Sequence, residues 1–327
     1  MPALRRCSAA LLISALAVGA HARDAGTCRY VPVADLAITL WGPSLEPLID
    51  GEINGSKAVM LVDTGSSASM VTRAAAEKRG IPLLQTGKFA QGVGGMSQVY
   101  GVKLKDFSAG PAHSGKAGMP VVGDTTMDAR IDAIVGAEFL LQTDMELALT
   151  TRQLKFFRAS DCADTFLAYW DKDAMEIPFT SSESRNLTPQ FTIEINGKPM
   201  KAILDSGASG SVVMERSAAS AGVRTDGADV TRAGKFSGIG ADRPDRWHAS
   251  FATFAIGSET IKNANIDIMQ EPSSGRGAGM PDVILGRDFL RAHRVLFAMS
   301  QNRLYLSYTG GPVFERSAAA SVKPASN

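Results

Sequence analysis

Asp63 ends an apolar run. In Ala58–Val71, AVMLVDTGSSASMV, the stretch Val59-Met60-Leu61-Val62 reads as a buried strand and Thr64-Gly65-Ser66-Ser67 as the turn that follows it. A strand that delivers a carboxylate into a glycine turn suits three ends: half of a shared-proton carboxylate pair, a phosphate-cradling loop, or a plain turn. One such Asp does not choose among them. A second one does. Asp205 stands in LDSGAS, Leu204–Ser209, after the apolar run Ala202-Ile203-Leu204.

The two stretches are copies. EINGSKAVMLVDTGSSASMVTRAAAEKRGI, from Glu52, aligns without gaps with EINGKPMKAILDSGASGSVVMERSAASAGV, from Glu194. The match pairs Asn54-Gly55 with Asn196-Gly197, Asp63 with Asp205, and Gly80 with Gly222. It continues with small gaps: QGVGGMSQVYGV pairs with SGIGADRPDRWH, and IDAIVGAEFL with PDVILGRDFL. Self-similarity at a period of about 140 residues denotes a duplicated domain rather than a solenoid. A pseudo-twofold axis brings equivalent positions together. Two carboxylates at such an axis, about 3 Å apart, cannot both ionise, so they share a proton and one pKa rises. Such a pair can deprotonate a bound water while protonating the carbonyl under attack, which is hydrolysis with no metal and no covalent intermediate.

The elements that must position these residues follow from the pattern. Asn-Gly in each copy predicts a two-residue hairpin, since both positions tolerate positive φ. It joins an alternating strand to the apolar strand that ends in the Asp. After the Asp turn, SMVTRAAAEKRG and SVVMERSAASAG have helical spacing and close on Gly80 and Gly222. Gly65 and Gly207 allow backbone to approach the carboxylates. Thr64 and Ser206 carry hydroxyls able to bond across the axis. If the turns are alike, Ser66 also gives a hydroxyl to Asp63 where Ala208 gives Asp205 none, making Asp63 the better-stabilised carboxylate and Asp205 the proton holder. The glycine-rich loops Gly92-Val93-Gly94-Gly95 and Gly238-Ile239-Gly240 suit mobile flaps that cover a substrate.

With VDTGSS at Val62–Ser67, LDSGAS at Leu204–Ser209, AIVGAEFL at Ala133–Leu140 and VILGRDFL at Val283–Leu290, the chain resembles the retropepsin-like aspartic proteases in a fused two-copy form. The resemblance covers most of the chain, with four motifs in order. It implies a mostly β fold of two closed, barrel-like lobes with the active site between them. It also implies that Asp63 and Asp205 are the catalytic pair, and that each apolar-Gly signature braces its turn. The glycine loops are closer to the retroviral type, and the flap tyrosine of pepsin-type enzymes has no counterpart, Tyr100 falling after the glycines.

The remaining features bound this reading. Apolar residues form 45% of the 327, enough for two cores, and 34 basic against 33 acidic residues give no block that suits nucleic acid. Arg5-Arg6, an apolar run over Cys7–Ala20 and Ala20-His21-Ala22 predict a signal peptide over 1–22, hence an exported, periplasmic or secreted protein with no membrane span after cleavage. Cys28 and Cys162 remain and are expected to pair. The expected layout is then an N-terminal segment over 23–34, lobes over 35–158 and 174–310, a linker over 159–173 and a disordered tail over 311–327. The four His show no ligand spacing, and no metal or cofactor is expected. An actin-like ATPase also carries an Asp-x-Gly loop, but the helical segment after the turn and the export signal argue against it. The expectation is a monomeric aspartic endopeptidase acting on peptides or proteins, with a non-catalytic peptide binder of the same fold as the alternative.

Overall fold

The computed structural model describes residues 27–110, 112–122, 127–182, 186–240, 242–271 and 280–314. The expected signal peptide lies outside them, as does the tail beyond 314.

Each Asn-Gly pair turns a hairpin as the pattern demands. Asn54 and Gly55 have φ of 52° and 73°, and Asn196 and Gly197 of 50° and 72°, the left-handed pair that joins two twisted strands tightly. The hairpins pair Glu46–Ile53 with Ser56–Val62, and Asn186–Ile195 with Lys198–Leu204. In each, the second strand ends at the residue before the Asp. The apolar-Gly signatures form short strands, Ala133–Val135 and Val283–Leu285. Each runs parallel to the strand that delivers the Asp and antiparallel to the strand that leaves the turn. These central strands are buried throughout, which is why they read as continuous apolar runs.

The sheet of each lobe curls, and that of the second closes on itself. In the first, Glu46–Ile53 also pairs with Phe107–Ala109. In the second, Glu194 and Ile195 pair with Ala255 and Phe254 of the strand Asp245–Ile256. The fold is thus mostly β and duplicated, with short helices only; none among the described residues is long and apolar enough to cross a membrane.

The lobes are not merely tethered. Strands Arg29–Ala37, Gln153–Ser160 and Asp144–Ala148 join His293–Ala298, Arg303–Tyr308 and Met175–Ser182 in one sheet, in that order. Its seam is the antiparallel pairing of Met145 with Phe297 and Leu147 with Val295. Cys28 and Cys162 are disulfide-bonded beside this sheet, tying the start of its edge strand to the chain that leaves the first lobe.

Three expectations need correction. The Asp turns do not lead straight into helix. Strands Met70–Thr72 and Val212–Met214 come first, because their residues fill the core beside the signature strands, and the helices are only Arg73–Lys78 and Glu215–Ser220. The contrast drawn with the ATPase loop on this point therefore falls away. The segment 23–34 is not outside the fold, since Arg29–Ala37 is a strand of the sheet between the lobes. The tail does not begin at 311. Phe314 is only 2% exposed and packs against Phe254 and Phe289, extending the second core.

Candidate active site

The two Asp turns face each other and are built alike. In each, the Asp N–H donates to a signature-strand carbonyl, Asp63 to Val135 at 3.0 Å and Asp205 to Leu285 at 2.9 Å. The turn amides then converge on the carboxylate. Gly65 and Ser66 N–H donate to Asp63 Oδ1 at 3.1 and 2.9 Å, and Gly207 and Ala208 N–H to Asp205 Oδ1 at 2.8 and 3.1 Å. The glycines are required by proximity. A Cβ on Gly65 would sit 2.3 Å from Asp205 Cγ, and one on Gly207 2.5 Å from Asp63 Cγ.

Below the carboxylates the hydroxyls cross the axis. Thr64 Oγ1 donates to Leu204 O at 2.8 Å and accepts from Ser206 N–H at 3.0 Å. Ser206 Oγ donates to Val62 O at 2.7 Å and accepts from Thr64 N–H at 3.1 Å. Both residues are fully buried. Four hydrogen bonds thus lock the turns face to face and fix the spacing of the carboxyls.

Ser66 does something else. Its hydroxyl donates to Ala68 O at 2.8 Å within its own turn, so each turn gives its Asp backbone donors only. The expected asymmetry from this hydroxyl is absent. The signature motifs brace the turns through the two serines that close them. Gly136 N–H donates to Ser69 Oγ at 2.8 Å and Gly286 N–H to Ser211 Oγ at 3.0 Å, while Ser211 Oγ donates to Asp288 at 2.7 Å.

The carboxyls hydrogen-bond to each other, so neither takes or loses its proton alone. Burial first, and then the charge of Asp205, push Asp63 up to about 8, against the backbone donors that pull it down. Burial also raises Asp205, and its turn amides, Asp63 and the guanidinium of Arg287 offset only part of this, leaving it raised. The pair is thereby disposed to hold one proton between its two carboxyls. It can act as acid and base at once on a water and a carbonyl placed between its halves.

The glycine-rich loops meet at their tips. Gly94 N–H donates to Ile239 O at 2.8 Å, and Asp242 N–H to Gly94 O at 2.7 Å. Their apolar residues cross over. Val93 packs against the second-lobe cluster of Ile203, Val212, Met214, Met269 and Ile284, and Ile239 against the first-lobe cluster of Leu48, Leu61, Ile131 and Ile134. Gly92, Gly94 and Gly240 lie so close to the opposite loop that a Cβ would strike its backbone. Gly95 packs as tightly on the Asp242 carboxylate, and Gly238 touches Val93. Cys28 and Cys162 sit elsewhere, at the sheet between the lobes.

One residue at the site escapes a reading of motifs alone. Arg287, 2% exposed, donates from Nη1 to Ser206 O at 2.9 Å and Gly207 O at 2.7 Å, and from Nε to Ser44 O at 2.8 Å. The signal was present: the first signature has Ala137 where the second has Arg287, a cation that the first copy lacks.

No curated protein matches the chain. Among solved structures it is similar to one described as "Crystal structure of edgp", at 11% identity and a TM-score of 0.45 over 84% of this chain and 94% of that one, a likeness too slight to carry an argument. The aspartyl protease family, by contrast, matches residues 49–139 and 191–289, once in each lobe, from the hairpin before the Asp turn to the short helix after the apolar-Gly signature. With more than half of the chain matched in two equivalent copies, the chain belongs to the aspartyl proteases.

Proposed function

We propose that the protein is a single-chain aspartic endopeptidase in a fused two-copy form. Asp63 and Asp205 share one water and one proton, Thr64, Gly65, Ser66, Ser206 and Gly207 hold them in place, and the loops at 92–95 and 238–240 fold over an extended peptide. The observation that carries this is the reciprocal Thr64–Ser206 lock, which holds two hydrogen-bonded carboxyls face to face under inward-pointing amides. One carboxyl takes a proton from water as the other gives one to the peptide oxygen. The amine then leaves with the proton gained from water. No metal or cofactor enters these steps. Both halves of the site lie on one chain, so the active form is a monomer. The basic and apolar N-terminus directs export, placing the enzyme in the periplasm or outside the cell.

The test is digestion of a mixed peptide library by the purified mature protein across pH, with and without a statine transition-state analogue. Cleavage should be blocked by the analogue and lost in Asp63→Asn and Asp205→Asn, each still folded. Substantial cleavage by either variant would sink the mechanism. Peptides bound but never cut by the wild-type protein would instead make it a binding protein.

A further inference from the structure

The two aspartate turns are supported from behind by different chemistry, both donors coming from the second lobe. Thr64 and Ser206 are twins in the repeat, and each carbonyl, buried, needs a donor. Thr64 O accepts from the hydroxyl of Thr188 at 3.1 Å. Ser206 O accepts from the guanidinium of Arg287 at 2.9 Å. The same backbone atom thus faces a neutral donor in one lobe and a cation in the other. The exchange is written in the repeat at two places. Arg287 replaces the twin position Ala137, and Thr188 aligns with Glu46. The cation is held firmly, since Arg287 is buried and three carbonyls, of Ser44, Ser206 and Gly207, fix its planar fork.

The charges around it are few. Arg287 faces Glu46 of the first lobe, both aspartates of the dyad, and its neighbour Asp288. Asp288 is occupied by the Ser211 hydroxyl and the Phe289 N–H, bracing its own turn. Asp205 and Asp63 face each other, and Arg287 faces both while hydrogen-bonding only to the turn that holds Asp205.

We propose that Arg287 is a positioning residue that polarises the dyad. Its charge lies under one turn only, so it holds the negative charge on Asp205 and leaves the shared proton on Asp63. The electrostatics agree in direction: Arg287 draws Asp205 down, whereas the charge of Asp205 helps drive Asp63 up. This reverses the order expected from Ser66. The inference deepens the endopeptidase reading by assigning its roles. Asp205 removes a proton from water as the new C–O bond forms, and Asp63 gives its proton to the carbonyl oxygen. As the C–N bond breaks, Asp205 returns its proton to the amine, and a hydroxyl of the intermediate reprotonates Asp63. The dyad ends as it began.

The proton's position can be measured without turnover. Full-length mature protein labelled with 13C at the aspartate carboxyls, with Asp63→Asn and Asp205→Asn for assignment, gives a titration of each group. Over the range where the pair holds one proton, Asp63 should show the neutral carboxyl shift and Asp205 the ionised one. Arg287→Lys keeps the charge and should keep this order. Arg287→Met should spread the proton over both groups and move the acid limb of kcat/KM to higher pH, so that activity at the acid edge falls several-fold relative to the plateau. A proton resident on Asp205 in the wild-type protein overturns the proposal, and so does an Arg287→Met protein that titrates like wild type. Where Arg287→Met does not fold, the wild-type and Arg287→Lys titrations decide. A wild-type protein with its proton on Asp63 that cuts no peptide defeats the endopeptidase reading and leaves the polarity standing.

Discussion

At the scale of the residue, one hydroxyl performs two functions across the axis. Thr64 Oγ1 is a donor to Leu204 O and an acceptor from Ser206 N–H, in a place with no access to water. Thr64→Val keeps the shape and removes both roles, leaving a buried N–H and a buried C=O without this partner. The expected loss is about 1–3 kcal/mol of stability, from the cost of stranding buried polar groups. Urea denaturation measures it, and a change within a few tenths of a kcal/mol would show that the lock is not what joins the turns. That Asp63 and Asp205 would face each other was legible in the sequence because the same carboxylate stands in the same place twice, and a twofold relation admits few other arrangements. The direction of its asymmetry was not. A serine beside a carboxylate can donate to it or to a nearby carbonyl, and Ser66 takes the carbonyl of Ala68. The group that differs, Arg287, lies far along the chain from either Asp and enters only through the fold.

At the scale of the element, the hairpins were readable because Asn-Gly fixes both the turn and the register of the strands it joins. The strands that leave the Asp turns were not, because Met70–Thr72 and Val212–Met214 are too short to show alternation and run into helical spacing. The glycine loops were found by composition, but their contact with each other was not, since no local pattern encodes a pairing between tips. That contact makes a prediction. Gly240 has φ of 115° and sits with its would-be Cβ 2.1 Å from Gly94 O. Gly240→Ala must distort its own backbone and push the first loop away, while leaving both Asp turns untouched. If closure of these loops excludes water from the site, the variant should lose kcat/KM by at least about tenfold, for roughly 1.4 kcal/mol of lost closure energy. The inhibitor should bind correspondingly more weakly, and stability should change little. An unchanged kcat/KM would remove the loops from the catalytic cycle.

At the scale of the whole molecule, the lobes are joined at several levels, among them the sheet seam at Met145–Phe297, the Thr64–Ser206 lock, the reach of Arg287 to Ser44 and the meeting of the glycine loops. The disulfide closes a loop of 134 residues onto this frame, which in the chain-entropy view contributes about 4–5 kcal/mol at most. The seam was not legible, because an apolar strand such as Val295-Leu296-Phe297 does not state which edge it will pair with. This joining has a consequence for pH. It forces two carboxyls into one half-buried place, and Asp63 is pushed up to about 8 from an ordinary value near 4 in the unfolded chain. A carboxyl whose pKa is raised on folding binds more protons in the folded state between those two values. Its contribution to stability is therefore complete at pH below about 4 and is lost as pH rises through about 8. Asp144, Glu46 and Asp288 are raised by burial as well and slope the same way, so the wild-type curve alone does not isolate the dyad. Asp63→Asn does. A neutral amide cannot ionise, and it suits a place that disfavours a second charge. The variant should match wild type in Tm near pH 4 and exceed it near pH 8, with the gap opening steadily between. Thermal unfolding of both proteins at a series of pH values is the measurement. A Tm difference that does not change with pH would mean that the two carboxyls are not held against each other in the folded protein.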